Sequence, residues 1–221
     1  MSWLSAKQNM TNTSTLPEGA TREQALAVLH DHDFMIKCDP HYVKHSREAQ
    51  PSASTATDYA QAAQAFTLPD LASIGKPTGG QSEADPYVNV YMLTDDLPNP
   101  FFSSTINSRL EYLNLESGLW TRVSSPMGVV LETAWIIRDA ESSGGDGGDL
   151  ELHQEIVITA NKMLMGTVRG KIEANRGGIH KLFRARLEKD MAGGATEPTP
   201  TADAPAPAAA DTGATTTKGA A

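Results

Sequence analysis

With one cysteine, Cys38, in 221 residues, the chain has no internal disulfide to staple its fold, and it fits a reducing compartment. No apolar run approaches the roughly 20 residues that a membrane-crossing helix needs. Met1 to Met10 lacks the apolar stretch of a secretory leader, so an intracellular, cytoplasmic protein without a transmembrane segment is expected. The Asn-x-Ser/Thr triplets at Asn9 and Asn12 therefore carry little weight as glycan acceptors. Catalytic signatures are also missing. There is no Gly-x-Ser-x-Gly elbow, no Gly-x-Gly-x-x-Gly turn and no Gly-Lys-Ser/Thr phosphate loop.

What is present suits one domain with a real core, since 39% of the residues are hydrophobic. The net charge of −9 is unevenly spread. Residues 1–160 hold 9 basic and 21 acidic groups, a balance of −12, whereas residues 161–190 hold 8 and 3, a balance of +5. A basic segment of this kind can meet an anionic membrane. The acidic remainder opposes both membrane and nucleic-acid binding. The segment is therefore read as the basic partner of an acidic body, with solvated charges.

Residues 191–221 are Ala, Thr, Pro and Gly with almost no apolar bulk, and are expected to be a disordered tail. Residues 1–7 are read as a flexible N-terminus and residues 8–190 as the domain. Within it, residues 51–85 form a long polar inserted loop with a short helix or strand near Tyr59 to Phe66. Residues 141–149 (ESSGGDGGD) read as a flexible hairpin loop. A single Gly-Gly-Asp copy without stacked neighbours cannot build a calcium-binding repeat.

Two periodicities dominate. Leu152, Gln154, Ile156 and Ile158 alternate with His153, Glu155, Val157 and Thr159, the period of two of a strand. From Asn161 the steps become three and four residues, through Met165, Val168, Ile172, Ile179, Leu182 and Phe183, the period of a helix. Further strands are expected at Met10 to Leu16, His41 to Arg47, Tyr87 to Leu93, Ser104 to Leu115, Leu119 to Ser124 and Val129 to Arg138. Pro126-Met127-Gly128 breaks the last two apart. Thr21, with Gln24 three residues on, is a capping box for a helix from Arg22; Leu26, Val28, Leu29, Phe34, Met35 and Ile36 make one bent helix or two short ones, stopped by Pro40. The fold class is α+β: six or seven mostly antiparallel strands with helices near both ends.

That order resembles the helix-grip fold of START-related lipid-transfer domains and polyketide-cyclase-like (SRPBCC-like) proteins. More closely, the chain is similar to a fungal family labelled as a domain of unknown function. The likeness is carried by Thr11-Asn-Thr-Ser-Thr-Leu-Pro, by Ala25-Leu-Ala-Val-Leu-His-Asp-His-Asp-Phe-Met-Ile with Asp39-Pro40, and by Tyr91-Met-Leu-Thr-Asp. It continues through Ser125-Pro-Met-Gly, Leu152 to Glu155 and the helix from Asn161 to Leu187. The resemblance implies a curved sheet wrapped around the last helix, with a cavity for an apolar small molecule or lipid between them. It brings no catalytic residues and no cofactor.

On that helix, at about 100° per residue, the apolar arc holds Leu164, Met165, Val168, Ile172, Ile179, Leu182, Phe183 and Leu187. Asn175 and Arg186 project into the same arc and are the candidate polar anchors of a ligand. Against them stands a plainer reading, in which Arg186 reaches solvent near the helix end and pairs with an acidic strand residue while Asn175 bonds backbone at a kink. Val168, Ile172, Ile179, Phe183, Trp120 and Trp135 are the candidate apolar wall. Gly166, Gly170, Gly177 and Gly178 weaken the helix and mark either a kink over the cavity or close packing.

Other chemistry is weaker. His30, Asp31, His32 and Asp33, with Asp39, His41 and His45, have metal-ligand side chains, but His30 and His32 diverge by about 200° on a helix. No metal site is expected. Cys38 reads as a small core residue. Glu132 and Glu155 are candidate cavity carboxylates for acid–base work, or simply members of an exposed strand face. Non-catalytic binding is the leading expectation. A cyclase- or hydratase-like enzyme using a cavity Glu or His, and a scaffold filled by its own side chains, are the alternatives.

Overall fold

The computed structural model describes residues 4–48, 59–66, 68–69, 75–79, 87–97, 104–140 and 149–193. Most of the inserted loop, residues 141–148 of the expected hairpin loop and residues 194–221 of the expected tail lie outside them.

Among the described residues the chain forms β1 (Ser5–Thr15), α1 (Arg22–His30), α2 (His32–Lys37), β2 (Tyr42–Arg47), α3 (Tyr59–Phe66) and β3 (Val88–Leu97). It continues through β4 (Ser104–Leu115), β5 (Gly118–Ser125), a 3-10 turn (Pro126–Gly128), β6 (Val129–Asp139), β7 (Leu150–Asn161) and α4 (Lys162–Gly193). The strands make one seven-stranded sheet in the order β1-β7-β6-β5-β4-β3-β2. Every pairing is antiparallel. Alternating sequence thus becomes a two-faced layer. Ser5 to Lys7, expected to be flexible, are already paired with β7, and Met191 to Gly193, expected in the tail, complete α4.

Local chemistry sets the helix boundaries. Thr21 Oγ1 accepts from the Gln24 N–H at 3.2 Å while Gln24 Oε1 accepts from the Thr21 N–H at 3.0 Å, closing the expected capping box. The Asp31 carboxylate then accepts from the Phe34 N–H at 3.1 Å and starts a second helix, so the bent segment is two helices. Gly118 opens β5 because a Cβ there would lie 1.8 Å from the Trp135 carbonyl oxygen. His30 Nε2 lies 2.8 Å from the Gly118 carbonyl and ties α1 to that turn.

The two sheet faces are covered differently. On one, Phe66 of α3 packs with Val88 and Val90, and Tyr59 of α3 packs on Leu113, Leu115 and Trp120. On the other, α4 crosses the sheet, and α1 and α2 close its lower end. There Val28, Leu29, Ile36, Leu119, Ile137, Leu152, Phe183 and Leu187 form the main core, all nearly free of solvent. At the upper end Met165 packs on Ile156, Ile158 and Ala160. Leu182, expected in the apolar arc, is 48% exposed, and His180 is buried instead. The helix turns that side toward Ser14 of β1 and Gln154 of β7 and leaves Leu182 facing away. An added Cβ at Gly166, Gly170, Gly177 or Gly178 meets nothing within 4 Å, so these glycines do not serve close packing.

Candidate functional site: a cavity between sheet and helix

Strand parity decides which side chains face α4. Leu93 and Asp95 of β3, Ile106, Ser108, Leu110 and Tyr112 of β4, Thr121 and Val123 of β5, and Leu131, Thr133 and Trp135 of β6 all point the same way. Opposite them stand Leu164, Val168, Ile172, Asn175 and Ile179 of α4. Between the two sets is a cavity of about 470 Å³, rimmed by Met35, Ile36, Asp39 and His41 on one side and Pro126 and Met127 on another. Its walls are mainly apolar, with a few hydroxyls, Gln154, Asn175, Asp95, Lys171 and Arg176 as polar points.

The candidate residues separate. Asn175, Val168, Ile172, Ile179 and Trp135 line the cavity; Phe183, Trp120 and Arg186 do not. Phe183 is one turn too far along α4 and fills the solid core below. Trp120 lies opposite Leu113 and Ala134 in register, on the outer face. Arg186 is held beside α1 and α2. It donates to Asp31 at 3.2 Å and to Asp190 at 2.8 Å, and its guanidinium lies 5.1 Å from the Phe34 ring centre. This is the ion pair weighed for it from the sequence, made with a helix cap rather than a strand.

The candidate catalytic and metal-ligating groups also move apart. Glu132 pairs across the sheet with Arg122 and Val157, and Glu155 with Ala134 and Thr11, positions on the face turned away from α4. Neither is a cavity carboxylate. His30 binds the Gly118 carbonyl. His32 lies between the Tyr91 hydroxyl at 2.9 Å and Asn114 at 2.8 Å, and His45 is 3.1 Å from the Tyr42 hydroxyl. Among the described residues no group of three or more His, Cys, Asp or Glu side chains converges as metal ligands would. Cys38 is buried, which pushes its thiol up to about 11.

Residues 5–189 match the family described as domain of unknown function DUF7053. The chain belongs to that family. No curated protein sequence matches it. Among solved structures, this DUF7053 chain is similar to Ara h 8.0201, with a TM-score of 0.50 at 10% identity over 83% of this chain and 99% of that one. It is similar to the Zhui aromatase/cyclase from Streptomyces sp. R1128, with a TM-score of 0.51 at 12% identity over 86% and 100%. The di-domain ARO/CYC StfQ from the steffimycin biosynthetic pathway gives 0.51 at 11% identity over 84% of this chain and 52% of its own. Together these establish the helix-grip fold for the DUF7053 chain.

Two features of the site in this DUF7053 chain escape the sequence patterns. Asp95 sits at the cavity's β2–β3 side with Asp39 and His41, its Oδ1 buried and without a hydrogen-bond partner among the described residues. Burial, then the neighbouring Asp39 charge, pushes its carboxyl up to about 7. The usable signal was strand alternation, which puts Asp95 on the face of Leu93 and Tyr91 once β3 is extended beyond Leu93. His180 is held between Ser14 Oγ at 2.7 Å and Gln154 Oε1 at 3.1 Å, its ring centre 5.7 Å from that of Trp135. Burial, reinforced by Arg176 and His153, lowers it to about 4 and keeps it neutral.

Proposed function

We propose that the chain binds an apolar small molecule or lipid in the cavity between the sheet and α4, without catalysing a reaction. The observation that supports this is the space itself. At about 470 Å³ it falls within the roughly 300–1,000 Å³ of ligand pockets, and a mainly apolar wall with few polar points suits one ligand orientation. Val168, Ile172, Ile179 and Trp135 supply contact area, worth about 25 cal/mol per Å² of apolar surface removed from water. Asn175 and Gln154 supply polar anchors. The test is native mass spectrometry of protein purified from its own host, paired with displacement of an environment-sensitive apolar dye. A co-purifying lipid and dye displacement by its extract are the expected results. A protein that arrives empty and binds no apolar dye overturns the reading.

One observation favours a second reading, a cyclase- or hydratase-like enzyme. Asp95 has a carboxyl poised near neutral pH at the edge of an apolar cavity, the condition for general acid–base work. The aromatase/cyclases among the similar structures point the same way. Asp95→Asn separates the two. A binder keeps its ligand and shows no turnover in either form; an enzyme converts its ligand, and the variant holds it unchanged.

A further inference from the structure

Three stretches meet at the upper end of the sheet. Ser5 of β1 pairs with Asn161 of β7, the Lys162 N–H donates to the Leu4 carbonyl at 2.9 Å, and Ser125 pairs with Val129 around the 3-10 turn. Val130 pairs with Thr159, which sets that turn against the upper end of β7, just before α4 begins. Here apolar side chains face water. Met127 is 71% exposed and Met163 is 88% exposed. Met127 also holds φ of 64°, a left-handed conformation that non-glycine residues rarely adopt, so the tight turn presents its side chain outward. Pro126, Met127, Leu164 and Thr167 are at once part of the cavity lining. The exposed apolar patch is therefore continuous with the cavity's open side.

On the β1–β7–β6 side of this end the charge is one-sided. Residues 4–15, 125–131 and 156–172 contain Lys7, Lys162, Arg169 and Lys171, and no acidic residue. Arg169 is paired with Glu173, but Lys7, Lys162 and Lys171 are in no ion pair among the described residues. The acids of this end stand across the opening: Asp39 and Asp95 line its β2–β3 side with Asp96 next in β3, while Glu132 and Glu155 are on the outer face. Two protruding methionines beside unpaired lysines fit the interface of an anionic bilayer, with apolar tips among the acyl chains and ammonium groups at the headgroups.

We infer that the rim formed by the β5–β6 turn and the first turns of α4 docks on an anionic membrane surface and presents the cavity's opening to the lipid. This deepens the apolar-ligand reading by naming where the ligand is exchanged. The test is co-sedimentation with vesicles of phosphatidylcholine alone, or with a third of it replaced by phosphatidylserine, at low and high salt. The full chain is compared with Lys162→Glu/Met163→Ser, which changes two exposed residues outside the cavity wall. The chain binds phosphatidylserine vesicles and salt weakens binding. The double variant loses at least about fivefold from the lysine alone, since each such charge contributes about 1 kcal/mol near the surface. It keeps its affinity for an apolar dye, so loss of docking is told apart from loss of the cavity. Met127→Ser lowers vesicle binding independently. No binding to phosphatidylserine vesicles at low salt, or equal binding by the double variant, overturns the inference. Self-association abolished by Met163→Ser would overturn it too, by assigning the patch to a second copy.

Discussion

The lower and upper halves of α4 lie on the same sheet face, yet they do opposite things. Below, Phe183 and Leu187 are fully buried against α1, Leu119, Ile137 and Leu152, a solid core. Above, Val168, Ile172, Asn175 and Ile179 face about 470 Å³ of space. The difference comes from what lies opposite the helix rather than from the helix itself. α1 and α2 close the lower end of the sheet, and the described residues of the upper end have no such cover. A helix whose apolar stripe looks continuous in sequence is thus divided into a fastening and a lid.

That contrast is open to direct attack, beginning with the core. Phe183→Ala should cost about 3–5 kcal/mol by urea denaturation, the range for a buried aromatic truncated inside close packing. Ile172→Ala should cost far less, because its side chain already borders empty space. Equal losses would mean that the upper half is as solidly packed as the lower. Ile172→Trp reverses the logic. Overpacking a filled core is destabilising, whereas here the indole has room, so thermal stability should hold while apolar-dye affinity falls more than about tenfold. A large stability loss with binding intact would remove the cavity from consideration.

Acid should act on the buried histidines next. His180 and His32 both have folded values of about 4 against an ordinary 6.5, lowered first by burial. Between those values the unfolded chain binds more protons than the native one, so stability is fully present above about pH 6.5 and falls toward pH 4. Asp95 runs the other way, because its folded value of about 7 lies above its ordinary 3.8 and the native state holds the proton there. Asp95→Asn should therefore steepen the acid loss, and His180→Gln should flatten it, in denaturant midpoints measured across that window. An unchanged slope in both variants would show that neither group is held as the structure implies. The smallest effect belongs to the helix backbone. Gly170→Ala meets no neighbour and should add about 0.5–1 kcal/mol. A destabilisation would show that α4 needs its looseness.

Much of the fold was legible because each element carries its own period or cap. The Thr21–Gln24 box, the alternation from Leu152 to Ile158 and the three- and four-residue steps from Asn161 each specify local geometry without tertiary information. The site was legible only in part, because facing depends on register. Trp120 and Trp135 look alike in sequence, but β5 and β6 pair so that Trp120 stands opposite Ala134 while Trp135 stands opposite Leu119, on the other face. Arg186 shares the arc of Val168 and Ile179 on the helical wheel. The wheel records angle and not height, and at the height of Arg186 the neighbour is Asp31 instead of open space. The balance of charge is blind to position in the same way: totals over residues 1–160 do not show that residues 4–15, 125–131 and 156–172 contain no acid while Asp95 and Asp96 stand at the same end of the sheet on β3.

The placement of the indoles has a practical outcome. Trp135 stands in the cavity wall and beside His180, whereas Trp120 is sealed under the opposite face by Tyr59, Leu68 and Tyr87. With Trp3, the third indole of the chain, replaced, the emission of Trp135 should respond to a ligand in the cavity and to the imidazole's charge, with Trp120 as a steady internal reference. An optical titration needs no added dye.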